Sequence, residues 1–266
     1  MKKLYYAYLS LGLFAIYIFM TSSSLGRATD DNVGNTGAPG ESTLCSNCHN
    51  NGAYGNVTVS IQIFEMGTTN PVSFYIPNTV YDGRVTVTGS MGSPLGYGFQ
   101  LTTMLNGNTP YAAYSNWASN VKLKAITSGA QAGRTYLEQN GVTNNNQFNF
   151  QWTAPTSGNI SFFASGVACN ANGGTSGDRS SNSSLNLSMA PSLSVTSQVT
   201  PVSCFNGSDG SIQVTVNSGV EPYTYEWSDG SNASSFNNLP AGNYSVTVTD
   251  GLGQTYEESF TLNNPT

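Results

Sequence analysis

The single histidine of the 266-residue chain directly follows two cysteines, in Cys45-Ser46-Asn47-Cys48-His49. Two thiols three positions apart with an imidazole next in line have the spacing that attaches a c-type haem. The sulfurs of Cys45 and Cys48 would join the two vinyl groups, and the His49 ring would reach the iron from one face. The same residues admit other chemistry. Cys45 and Cys48 can close into a tight disulfide, a bond that exported proteins favour. Zinc would find three ligands in Cys45, Cys48 and His49, where a structural site uses four. The thiols can also stay free or pair between molecules. With haem in place no second imidazole is available, so the sixth iron position falls to Met, water or nothing. Met104, in Gly98-Phe-Gln-Leu-Thr-Thr-Met, is the first candidate distal ligand and Met91 the second; against this, a thioether commonly fills gaps in a core. Cys169 and Cys204 are left over. A bond between them would close a loop of about 35 residues and stabilise by ~3 to 4 kcal/mol on the chain-entropy model, or both can remain reduced.

Other residue sets carry less. Asp178, Asp209, Asp229 and Asp250 stand in Gly/Ser-rich stretches where oxygens could hold calcium, but such side chains more commonly close turns, and calcium is not expected. Asn172-Gly-Gly-Thr-Ser-Gly lacks the Lys of a phosphate loop. His49 is committed to the cysteine motif and no nucleophile elbow is present, so no hydrolase is assembled and no enzymatic activity is expected. Trp152 and Trp227 fall within strand alternation and are expected in cores. Trp117, in Tyr111-Ala-Ala-Tyr-Ser-Asn-Trp, lies in a loop and is the aromatic best placed to be exposed and to stack on a sugar.

These residues must be positioned by a chain in which only 8% are Asp, Glu, Lys or Arg, against 29 Gly, 15 Tyr and 12 Phe. Such a composition favours strands and turns over helices. Fourteen acids against eight bases, with no basic patch, exclude nucleic acid as a natural partner. Lys2 and Lys3, the apolar run Leu4 to Met20 and the small-residue exit Ser22 to Ala28 read as a signal peptide over 1–28, with an uncleaved N-terminal anchor as the alternative, since about seventeen apolar residues is near the lower limit for a spanning helix. The mature protein is then exported, more acidic still, and without a membrane span.

Residues 29–56 form a Gly/Asn-rich lead-in that carries the Cys/His motif, and its Gly-, Asn-, Asp- and Pro-rich start, Asp30 to Glu41, reads as mobile. From Val57 to Leu193 alternating runs recur: Val57-Thr-Val-Ser-Ile-Gln-Ile, Arg84-Val-Thr-Val-Thr, Phe148-Asn-Phe-Gln-Trp, Ile160-Ser-Phe-Phe-Ala. Period-two alternation predicts antiparallel strands with one face buried. Residues 194–200 read as a Ser/Thr-rich linker. Residues 201–266 hold a second set of runs separated by Asp209-Gly210, Asp229-Gly230 and Asp250-Gly251, dipeptides suited to the positive φ of hairpin turns. The expected fold is all-β: two β-sandwich modules behind a signal peptide.

The second module resembles the SprB repeat of Bacteroidetes surface proteins. The residues carrying this are Val202-Ser-Cys-Phe-Asn-Gly-Ser-Asp-Gly-Ser-Ile, Pro222-Tyr-Thr-Tyr-Glu-Trp-Ser-Asp-Gly and Leu239-Pro-Ala-Gly-Asn-Tyr-Ser-Val-Thr-Val-Thr-Asp. The resemblance implies an immunoglobulin-like unit of adhesins or gliding-associated proteins exported by type IX secretion. Many such repeats carry a second Cys after the last turn, where Gln254 stands nearby here. The first module is similar to the choice-of-anchor V domain, itself Reeler-like. That likeness rests on Thr36-Gly-Ala-Pro-Gly-Glu, Cys45-Ser-Asn-Cys-His, Gly96-Tyr-Gly-Phe-Gln-Leu-Thr, Gly133-Arg-Thr-Tyr-Leu-Glu, Phe150-Gln-Trp-Thr-Ala-Pro, Asn170-Ala-Asn-Gly and Ser176-Gly-Asp. Family members often have a His where Gln139 stands, so a family-type second ligand is not expected. The ending Asn263-Asn-Pro-Thr looks like a junction between repeats, as in a fragment of a longer chain. The function expected is adhesion or surface display on the cell exterior, through surface glycans or proteins, with one haem c optional. The alternative is a monohaem electron-transfer protein with a redox partner, the repeat acting as a spacer.

Overall fold

The computed structural model describes residues 34–41, 52, 54–141, 143–170 and 177–265; the expected signal peptide and the Cys45–His49 motif lie outside them. Every regular element among the described residues is a β-strand. The chain divides into two compact units, Met1–Met189 and Ala190–Thr266.

The first unit runs through β1 (Val57–Glu65), β2 (Phe74–Tyr75), β3 (Val80–Gly89), β4 (Gly96–Leu105), β5 (Thr109–Pro110), β6 (Tyr114–Ser115), β7 (Val121–Ala125), β8 (Thr135–Gln139), β9 (Gln147–Thr153), β10 (Ile160–Cys169) and β11 (Arg179–Met189). One sheet has the order β1-β3-β9-β6; the other has β2-β11-β10-β4-β8-β7, with β5 paired to β4. The alternation of β1, β3 and β9 sends Val59, Ile61, Val85, Val87, Phe148, Phe150 and Trp152 inward against Phe99, Leu101, Leu137, Ile160 and Phe162 of the larger sheet. A shift of one residue in register would turn that whole set to solvent, so the hydrophobic pattern holds the pairing. Phe99 stacks on Phe148 across the two layers at 4.1 Å between centroids. Trp152 is fully buried, edge-on to Phe162 at 5.0 Å and to Tyr75 at 6.0 Å. Truncating such a ring costs about 3–5 kcal/mol.

The larger sheet is covered on both faces. Phe99 and Leu101 of β4 join the core, while Gln100, Thr102 and Met104, pointing the other way, are also buried. What covers part of that outer face is residues 34–41. Asn35, Thr36 and Ala38 are as buried as core residues, so this stretch of the lead-in is a fixed strap and not the mobile segment its Gly/Asn/Pro content suggests.

The second unit is a smaller sandwich. Strands β12 (Ser194–Thr200), β13 (Gly210–Ser218) and β15 (Ser235–Leu239) form one sheet; β14 (Thr224–Trp227), β16 (Gly242–Thr249) and β17 (Thr255–Leu262) form the other. Val195, Ile212, Val214, Trp227, Leu239, Val246, Val248, Phe260 and Leu262 fill the space between. The residues read as a linker, 194–200, are therefore an edge strand. They pair with Ser211–Ser218 and place Val195 in the core, a role hidden by their Ser/Thr content.

The three Asp-Gly pairs are not equivalent either. Only Gly230 has a positive φ (85°), and it turns the chain from β14 to β15, strands of different sheets, so it closes no hairpin. Gly251 is required instead by close approach, since a Cβ there would lie 2.5 Å from the Glu221 carbonyl oxygen.

Candidate functional site

The strap delivers the chain to the Cys/His motif, and its backbone is held by side chains of the outer sheet face and of the β7–β8 loop. The Asn35 amide donates to Gln100 Oε1 at 2.6 Å, and its carbonyl accepts from Ser165 Oγ. Gln131 grips Gly34 from both sides, accepting from its amide and donating from Nε2 to its carbonyl at 3.2 Å. Arg134 donates to the Pro39 carbonyl. Gly34 has to be glycine, because a Cβ would overlap the Tyr136 hydroxyl.

Glu41 closes the strap. Its carboxylate accepts the amides of Thr36 at 2.5 Å and Gly37 at 2.9 Å, pairs with Arg134 at 3.4 Å and accepts from the Tyr136 hydroxyl at 2.7 Å. Burial pushes the Tyr136 hydroxyl well above the ordinary phenol range, and the Glu41 charge pushes it the same way, so it stays a donor at neutral pH. Beside this cluster Gln100 Nε2 donates to the buried Glu138 at 3.3 Å, and Lys122 lies 3.9 Å from that carboxylate. Three sequence motifs thus meet in space: Thr36–Glu41, Gly96–Thr102 and Gly133–Glu138. Their sequence separation gave no sign that they form one polar layer.

Cys45, Cys48 and His49 lie outside the described residues. Among the sequence-derived ligand candidates, Met104 is fully buried in β4, on the same face as Gln100, with Ser161 and Pro110 as its cross-strand neighbours. Met91 is exposed, and its amide donates to the Tyr54 carbonyl at 3.2 Å, just past the motif in sequence. Cys204 is an exposed free thiol and takes no part in a staple. No group of three His, Cys, Asp or Glu able to hold a metal occurs among the described residues.

The aspartates act in turns. Asp229 caps the Ser231 amide at 2.9 Å. Asp250 accepts amides from Val220, Leu252 and Gln254 within 3.1 Å. For Asp250, burial raises the carboxyl, but the Val220, Gln254 and Leu252 amides outweigh it and hold the group below its usual range.

A second place of interest lies on the outer face of the four-stranded sheet of the first unit. There a groove of about 370 Å³ runs between the β1–β2 turn and the segment after β6. Its floor is made by Asp82 and Arg84 of β3 and by Asn149 and Gln151 of β9, the outward members of paired strands. Asp82 accepts from Gly67 at 2.7 Å and from Gln151 Nε2 at 3.2 Å; Arg84 Nε donates to Asn149 Oδ1 at 3.0 Å. The Arg84 guanidinium also covers the Phe64 ring at 5.2 Å. One wall carries Asn116 and Trp117, the latter 38% exposed. The backbone there is fixed on both sides: Ser115 pairs with Gln151, and the Ala118 amide donates to the Asn149 carbonyl at 3.0 Å. The sequence marked Trp117 as an exposed aromatic. It gave no access to the floor, because which outward residues are neighbours depends on strand register.

The family model of the SprB repeat matches residues 196–232. No curated protein matches the chain. Among solved structures, the chain is similar to the Reelin-N domain of F-spondin, with 15% identity, 54% of this chain and 96% of that chain covered, and a TM-score of 0.34. For fragment 1 of the human F-spondin reeler domain the values are 18%, 42%, 75% and 0.29. For the three N-terminal domains of the bacteriophage RB49 outer capsid protein Hoc they are 15%, 78%, 59% and 0.38. The all-β assignment rests on the strand pairing itself, and the second unit carries a segment similar to the SprB repeat.

Proposed function

We propose that this chain is an exported, cell-surface modular protein that serves adhesion or surface display. The observation that carries this reading is the SprB-repeat match at residues 196–232, set in a chain built wholly of sandwich strands among its described residues. Few charges and many Ser, Thr, Asn and Tyr on the strand faces suit multivalent weak contact with glycans or proteins. No helix among the described residues is long and apolar enough to cross a membrane. The test is protease shaving of intact cells that express the chain, paired with adhesion of a deletion strain. Release of the chain's peptides from unbroken cells, with reduced adhesion on deletion, is expected; a chain protected until lysis overturns the reading.

A second reading concerns the Cys45-x-x-Cys48-His49 motif. It rests on the spacing of the two thiols and the chain's single imidazole. We propose that Cys45, Cys48 and His49 hold one haem c, which would supply one-electron transfer to a redox partner, with Met104 as the candidate distal ligand. The chain is to be expressed with a haem-attachment system and stained for peroxidase activity after denaturing electrophoresis. Colour that disappears in Cys45→Ala/Cys48→Ala is expected. A colourless chain whose Cys45 and Cys48 peptides are joined by a disulfide removes the reading.

A further inference from the structure

We infer that the groove floored by Asp82, Arg84, Asn149 and Gln151 and walled by Trp117 binds a neutral saccharide, one sugar ring stacking on the indole. This deepens the adhesion reading and rests on it for its biological setting, though not for its chemistry.

The groove has the two kinds of surface that a sugar presents in mirror image. A pyranose ring shows a face of C–H groups and an edge of hydroxyls. Trp117 offers a large, rigid apolar face at little conformational cost, and its backbone is pinned by the Ser115–Gln151 pairing and the Ala118–Asn149 bond. The floor offers both donors and acceptors. Each floor side chain spends part of its hydrogen-bonding capacity on a neighbour, which fixes its direction. Arg84 uses Nε on Asn149, leaving both terminal nitrogens; Gln151 uses Nε2 on Asp82, leaving Oε1; Asn149 keeps its Nδ2 donors. Arg84 is further held by its cation–π contact with the Phe64 ring. Orientation is therefore set before a ligand arrives, which lowers the entropy lost on binding.

Competing occupants fit less well. β3 and β9 are paired on both edges, so a peptide cannot extend this sheet over the floor, and recognition has to run through side chains. An anionic ligand would meet Asp82 beside Arg84, on a chain of net charge −6. A neutral, hydroxyl-rich ring satisfies the floor without bringing charge.

The experiment uses the purified exported chain and neutral oligosaccharides of glucose, galactose and N-acetylglucosamine, with a sulfated oligosaccharide as the acidic comparison. Binding is read by calorimetry and by quenching of tryptophan emission. At least one neutral oligosaccharide should bind. Trp117→Ala should weaken it at least tenfold with an unchanged melting temperature, Trp117→Phe should retain part of it, and Phe205→Ala, at an exposed aromatic of the second unit, should leave it unchanged. No binding of any neutral sugar, binding of the sulfated one alone, or full binding by Trp117→Ala overturns the inference. Loss of sugar binding in Trp117→Ala while the variant still supports cell adhesion would separate the two claims: the groove would stand, and adhesion would run through another surface.

Discussion

Glu41 gathers five polar contacts into a space closed to water, from two amides of its own turn, the hydroxyl of its Thr36, the Arg134 guanidinium and the Tyr136 hydroxyl. Breaking a buried ion pair from one side leaves the other charge stranded and costs about 3–5 kcal/mol, more than the pair contributes against an apolar replacement. Arg134→Ala should therefore lower the melting temperature of the first unit sharply, and Arg134→Met combined with Glu41→Gln, which keeps a neutral acceptor for the Thr36 and Gly37 amides and the Tyr136 hydroxyl, should lower it less. Differential scanning calorimetry on the three chains decides this; equal losses would mean that the pair is not desolvated. Asp250 permits a second test at the same scale. Its folded-state carboxyl sits below the ordinary value of 3.8, so the stability it contributes is complete above that value and is lost as the pH falls toward and through the lowered one. Asp250→Asn should flatten the acid limb of the second unit's unfolding curve, and an unaltered limb would count against the assignment.

Elements were legible in proportion to their alternation. β1 and β9 announce themselves because every second residue is Val, Ile, Phe or Trp, and β3, β13 and β16 do so through Val85 and Val87, Ile212 to Val216, and Val246 and Val248; β10 shows it only at Ile160 and Phe162 before its inward positions pass to Ala164, Gly166 and Ala168. The first half of β11, Arg179-Ser-Ser-Asn-Ser-Ser, has no apolar residue to alternate and is a strand because β10 offers it a full ladder of partners. β12 reads as a linker for a similar reason: one buried Val195 among Ser, Thr and Gln is too faint a signal. The strap is the larger lesson. Nothing local in Gly34–Glu41 marks it as fixed; its order comes from Gln100, Gln131, Arg134 and Ser165, whose side chains stand in for the missing strand partners. The role of β12 can be measured. A chain beginning at Ala190 should give a cooperative unfolding transition, whereas one beginning at Pro201 should lose β12 and Val195 and unfold broadly or not at all cooperatively. Equal cooperativity would return 194–200 to the status of a linker.

For the molecule as a whole, low charge density decides how contact with a surface should respond to conditions. Ion-driven adhesion weakens as the screening length shrinks from about 10 Å at 0.1 M salt to about 3 Å at 1 M. Adhesion through stacking and neutral hydrogen bonds should change less than twofold over that range, a result that a flow-detachment assay reads directly. The most direct measurement is retention of beads coated with the purified chain on surfaces bearing neutral glycans, with and without free oligosaccharide. We predict retention above protein-coated controls, abolished by the competing sugar and by Trp117→Ala. Beads that detach like controls, or that hold equally in the presence of the sugar, would contradict it.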